Sequence, residues 1–119
     1  MKDIQEIIND LRSNNFTTQD LERYLESSLV LIKVNAIIAV LRNKNTEKNI
    51  NHKLNNISQN IQHEPKVLGE WTTGHYAMAV LYLLNTKETL ELYNNNSNKL
   101  DEYAQNSIKK LIEQISYML

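Results

Sequence analysis

The chain has 119 residues, with 14 acidic and 13 basic side chains, a net charge of −1 and no cysteine. One domain over residues 1–119 suits the roughly 100–200 residues of a typical domain; disulfides and thiolate metal sites are excluded, and the charge balance argues against a polycation that seeks nucleic acid. Two glycines and one proline leave little turn chemistry for a sheet protein, so an all-α fold is expected.

Met1-Lys2 leads straight into Asp3 and Glu6 without an apolar leader, and the most apolar stretch, residues 29–41, contains Lys33 and Asn35. That stretch falls short of the about 20 residues a membrane span needs. A cytoplasmic protein is expected, since a chain without cysteine suits a reducing compartment. The 17 asparagines, and ten lysines against three arginines, fit A/T-rich codons and hence a low-GC bacterial genome.

Ile4, Ile7, Ile8 and Leu11 form the stripe of a first amphipathic helix. Thr17 is a good N-cap for a second, with Asp20 in its first turn and Phe16 placed to staple onto Leu21. Residues 29–41 are apolar nearly all round, as in a helix covered on several sides. Ile50, Leu54, Ile57 and Ile61 give the next helix a narrow seam. After Pro65, two versions fit residues 67–84: one helix kinked around Gly69 and Gly74, or a short turn and a helix capped at Thr72 with Trp71 stapled onto Tyr76. Thr86 caps a short helix through Tyr93, residues 94–98 read as a loop, and Leu100, Tyr103, Ala104, Ile108, Leu111, Ile112, Ile115 and Met118 share one face of the last helix.

A shift of 40 lays Ile38-Ala39-Val40-Leu41 on Met78-Ala79-Val80-Leu81. Polar-then-apolar helix pairs recurring in this way are the mark of stacked hairpins. Ile32-Lys33 with Ala36 and Ala39 resembles the second helix of a HEAT repeat, and residues 90–108 resemble its helix–turn–helix pattern. That resemblance implies a short right-handed HEAT-like solenoid of six to seven helices. Trp71, His75, Thr86-Lys-Glu-Thr-Leu90 and Asp101 are similar to features of HEAT-like immunity proteins of bacterial toxin systems. It implies a non-enzymatic module that binds another protein, a cognate toxin, as a monomer or weak homodimer.

No nucleophile motif, glycine-rich phosphate loop or metal-ligand spacing is present, so no catalytic, cofactor or metal residues are expected. His63, Glu64, Glu70 and His75 lie close in sequence but read as solvated residues around a helix start; His52 reads as exposed. Trp71, Tyr93, Asp101 and Glu102 are the expected partner-binding residues, pairing aromatic anchors with charge that would meet a basic partner. Residues 27–66 carry six basic and two acidic groups. Within them Arg42, Lys44, Lys48 and Lys53 form the alternative patch, through which a small helical protein would bind nucleic acid.

Overall fold

A computed structural model describes residues 2–119, Met1 lying outside them; the described chain is all-helical apart from one short hairpin. The elements are α1 (Ile4–Arg12), α2 (Thr18–Leu25), α3 (Val30–Arg42), α4 (Lys48–Gln59), β1 (Lys66–Leu68), β2 (Trp71–Thr72), α5 (Thr73–Leu84), α6 (Lys87–Ser97) and α7 (Glu102–Met118). Caps begin several of them. The Asp3 and Asp101 carboxylates accept N–H groups from the first turns of α1 and α7, and Thr17 with Asp20 closes a capping box on α2. Each cap satisfies donors that a helix start leaves orphaned.

The ends of α1 and α3 repeat one device. Leu11-Arg12 and Leu41-Arg42 are each followed by three polar residues, the second of which, Asn14 or Lys44, has φ of 60° or 50°. Asn15 and Asn45 then donate their N–H groups back to the Asp10 and Val40 carbonyls, the Schellman closure. Asn43 Nδ2 donates to Asn14 Oδ1 at 3.1 Å, which sets the two turns side by side.

Residues 65–84 adopt the version with a helix capped at Thr72. The sparse turn chemistry did not foresee the hairpin before it: β1 and β2 pair antiparallel, Lys66 with Thr72 and Leu68 with Trp71, around a bend in which Gly69 has φ of +56°. Trp71 and Tyr76 both pack against the cluster of Ala79, Leu111 and Ile115. Residues 94–98 differ from the loop reading, because α6 continues to Ser97 and Asn98 caps it. Asparagine's weak helix preference is overridden there by a tertiary bond, Asn96 Nδ2 to Asn55 Oδ1 at 2.8 Å. On α7 only Ser107, Ile108, Leu111 and Ile115 are buried; Tyr103 and Met118 are exposed.

The helices pack in chain order. α1 touches α3, α3 touches α5 and α5 touches α7; α2 touches α3 and α4, α4 touches α6, and α5 is held by α3, α4, α6 and α7. This explains why α5 is apolar nearly all round while α1 has one clean stripe. The core runs through Leu11, Leu21, Leu25, Ile37, Ile50, Leu54, Met78, Leu81 and Ile108. Gly74 lets α5 press on the end of α4, since a Cβ there would lie 2.6 Å from Ile61 Cα. Among the described residues, no helix is long and apolar enough to cross a membrane.

Candidate functional site

The hairpin meets α7 at one corner of the molecule. Glu70 follows Gly69 in the bend, and its carboxylate accepts hydrogen bonds from Tyr103 Oη at 2.7 Å and Ser107 Oγ at 2.9 Å. Trp71 Nε1 donates to Ser107 Oγ at 3.0 Å and to the Ser107 carbonyl at 3.2 Å. These bonds from residues more than 30 positions apart fix the bend onto the first turns of α7. The two hydroxyl donors, Tyr103 first, hold Glu70 below the usual carboxylate range; the same bond raises Tyr103. Around this carboxylate, Tyr103 is 70% exposed, Leu68 is 57% exposed and Trp71 is half-buried.

Asp101 and Glu102 sit at the same end of α7, both exposed. Asp101 has a structural task as well, since its Oδ1 accepts the Ala104 N–H at 2.8 Å as the N-cap. Among the described residues, no lysine, arginine or histidine forms an ion pair with Glu70, Asp101 or Glu102. Among the described residues Asp10, Asp20, Glu26 and Glu64 each have a cationic partner, whereas Asp3, Glu6, Glu22, Glu47, Glu88, Glu91 and Glu113 share the unpaired state of the three here. This end of α7 therefore combines exposed aromatic and aliphatic surface with three carboxylates that form no contact ion pair among the described residues, His75 and Lys110 acting on Glu70 only from a distance.

Tyr93 is not part of it. At 7% exposure it lies in the core, its ring tilted 5.1 Å from that of Tyr82. The aromatic count could not separate the two fates, because a tyrosine buried by its ring and one exposed at an edge are the same letter. The sequence did not single out Leu68 or Ser107, and it read Glu70 as solvated and Tyr103 as part of the last helix's apolar face; Tyr103 and Ser107 lie four apart on α7, the spacing of one helix face, but nothing in the sequence links that face to Glu70.

The basic alternative is smaller than its four residues suggested. Lys53 is half-buried and paired with Glu26, and Arg42 donates from Nη1 to the Leu11 carbonyl at 3.4 Å. Lys44 and Lys48 are exposed on either side of the turn that follows α3.

The His/Glu residues near position 70 go separate ways. His75 Nδ1 accepts the Thr72 N–H at 3.0 Å, closing the α5 capping box, and burial holds the ring below the usual histidine range against the opposing pull of Glu70. Glu64 Oε1 accepts from Lys33 Nζ at 2.7 Å and Thr73 Oγ1 at 2.6 Å, while His63 is exposed. Among the described residues, no three His, Cys, Asp or Glu side chains converge in a metal-binding arrangement.

No family model, curated protein or solved structure matches this chain.

Proposed function

We propose that this chain is a non-enzymatic protein-binding module, a short right-handed HEAT-like solenoid, and that its partner is a basic protein, on the immunity reading a cognate toxin. The observation that carries this reading is the seat of the hairpin on α7, where Glu70 is bonded to Tyr103, Leu68 and Tyr103 are exposed, and Glu70, Asp101 and Glu102 form no ion pair among the described residues. Aromatic anchors beside complementary charge are the usual material of interface hot spots. The extensive helix contacts, α1 with α3, α2 with α3 and α4, α3 with α5, α4 with α5 and α6, and α5 with α6 and α7, all join helices one or two places apart, which supports the repeat reading.

The test pairs the purified chain with the toxin candidate encoded next to its gene, by calorimetry and by rescue of growth on co-expression. Glu102→Lys with Asp101→Ser, which keeps a capping oxygen, should weaken binding by about tenfold or more while the melting curve holds within a few degrees. Unchanged affinity in that variant, with affinity lost when Arg42, Lys44 and Lys48 become Glu, would move the site to the basic turn. Binding to duplex DNA that collapses steeply with salt would replace the reading with the nucleic-acid one.

A further inference from the structure

A groove of about 440 Å³ runs between α4 and α6. Its walls carry Asn55 and Gln59 from α4 and Asn95 and Asn96 from α6, with Leu92 as the apolar contact. Asn98 and Lys99 complete the lining, so Lys99 is its sole charged side chain and neither Asp101 nor Glu102 reaches it.

Asn96 is only 5% exposed. Its Nδ2 donates to Asn55 Oδ1 at 2.8 Å, and no hydrogen bond among the described residues reaches its own Oδ1. No hydrogen bond among the described residues engages the side chains of Gln59, Asn95 or Asn98, and Lys99 has no ion-pair partner. A carboxamide offers the same donor and acceptor as a peptide group and can pair with it two-fold. Positions 55 and 59 are four apart on α4, a rise of about 6 Å. An extended chain presents like-facing peptide groups about 6.6 Å apart, so helical amides at this spacing meet alternate peptide groups nearly in register.

We propose that this groove holds an extended segment of a polypeptide through its main chain, with a carboxylate of that segment at Lys99. The face differs from the hairpin corner, and the probes below carry no basic group, so either reading can fail without the other.

The test uses the full chain labelled with ¹⁵N and titrated with three peptides. One is an acetylated pentapeptide of alternating threonine and valine ending in a free carboxylate. The second is its C-terminally amidated form, and the third has alternate main-chain nitrogens methylated. The free-acid peptide should shift the side-chain amide signals of Asn55, Gln59, Asn95 and Asn96 saturably. Methylation should weaken binding by about tenfold. Amidation should do so less, and a version ending in an aspartate amide distinguishes a side-chain carboxylate from a terminal one. Gln59→Ala with Asn95→Ala, both at exposed positions, should abolish the shifts without moving the melting curve. Lys99→Glu should erase the preference for the free acid. Asn96→Leu tests the buried amide, and the exposed pair decides the matter if that variant fails to fold. Absence of saturation, equal binding of the methylated peptide, indifference to Lys99→Glu or shifts centred elsewhere would each overturn the proposal.

Discussion

The hairpin segment has a root and a tip, and they differ in almost every physical respect. At the root, Thr72, Thr73 and Gly74 are buried. Thr72 Oγ1 donates to the Ile61 carbonyl at 2.8 Å, Thr73 reaches Glu64, and Gly74 presses on Ile61 itself. At the tip, Leu68, Gly69 and Glu70 are exposed, nothing lies within 4 Å of where a Gly69 Cβ would be, and Glu70 is held by two hydroxyls of α7. A few residues of chain thus go from close packing against α4 to an open surface. Substitutions at the root should cost folding, and substitutions at the tip should cost recognition.

The two glycines give the sharpest contrast. Gly74→Ala gains helix propensity of about 1 kcal/mol, but its Cβ would sit 2.6 Å from a backbone atom. The clash wins, for a net loss of about 3 kcal/mol in chemical denaturation. Gly69→Ala meets open space and is strained only by its positive φ, a loss of about 1 kcal/mol. Equal losses would mean that α5 and Ile61 leave room for a methyl group between them.

Glu64→Ala comes next in size. It removes the acceptor shared by Lys33 and Thr73 and strands a largely buried ammonium, which should cost about 2 kcal/mol. A double-mutant cycle with Lys33→Met would recover part of that loss if the pair is the cause.

At the outer corner, two adjacent acids should behave unlike one another. Asp101→Lys breaks the α7 N-cap and should cost about 1 kcal/mol. Glu102→Lys makes no such break and should change only partner affinity, as should Asp101→Ser, which keeps a capping oxygen. Melting curves beside binding isotherms would show whether the cap and the charge separate in this way.

The smallest effect is on pH dependence. Burial lowers His75, whose neutral Nδ1 accepts the Thr72 N–H. The folded state therefore binds fewer protons there than the unfolded one. Its contribution is complete above the unfolded value near about 6.5 and is lost as pH falls through the lower folded value. Glu70 is also lowered, by Tyr103 and then Ser107, but as an acid its contribution is lost only below about 4.3. Root and tip should thus weaken in separate windows of a melting-temperature profile. His75→Gln, which keeps an acceptor for Thr72, should flatten the upper one alone.

Much of the helical frame was legible because its signals are local. Thr17, Thr72 and Thr86 cap where their hydroxyls and following turns predict, and the seam of Ile50, Leu54, Ile57 and Ile61 is buried at each position. The hairpin was not legible, since a two-residue strand has no periodicity to read and its anchor is Ser107, far along the chain. The run after Tyr93 misled for the same reason: three asparagines in a row look like a turn until Asn55 is known to face Asn96. Of the expected contact residues, Trp71 is tied to α7 through Ser107, and Asp101 and Glu102 stand exposed at the start of that helix, while Tyr93 lies in the core, because ring burial depends on which helix lies opposite.

The chain-ordered packing of α1 to α7 also bears on how quickly the molecule folds. Every extensive helix–helix contact joins helices one or two places apart in sequence. Loops of such modest length are cheap to close, and a low mean separation of contacting residues goes with folding in the microsecond-to-millisecond range. The paired turns after α1 and α3, tied by Asn43 and Asn14, offer a nucleus assembled from neighbouring chain. A polypeptide that completes its contacts nearly as fast as it leaves the ribosome exposes its apolar α3 and α5 only briefly, and so gives aggregation little time to compete.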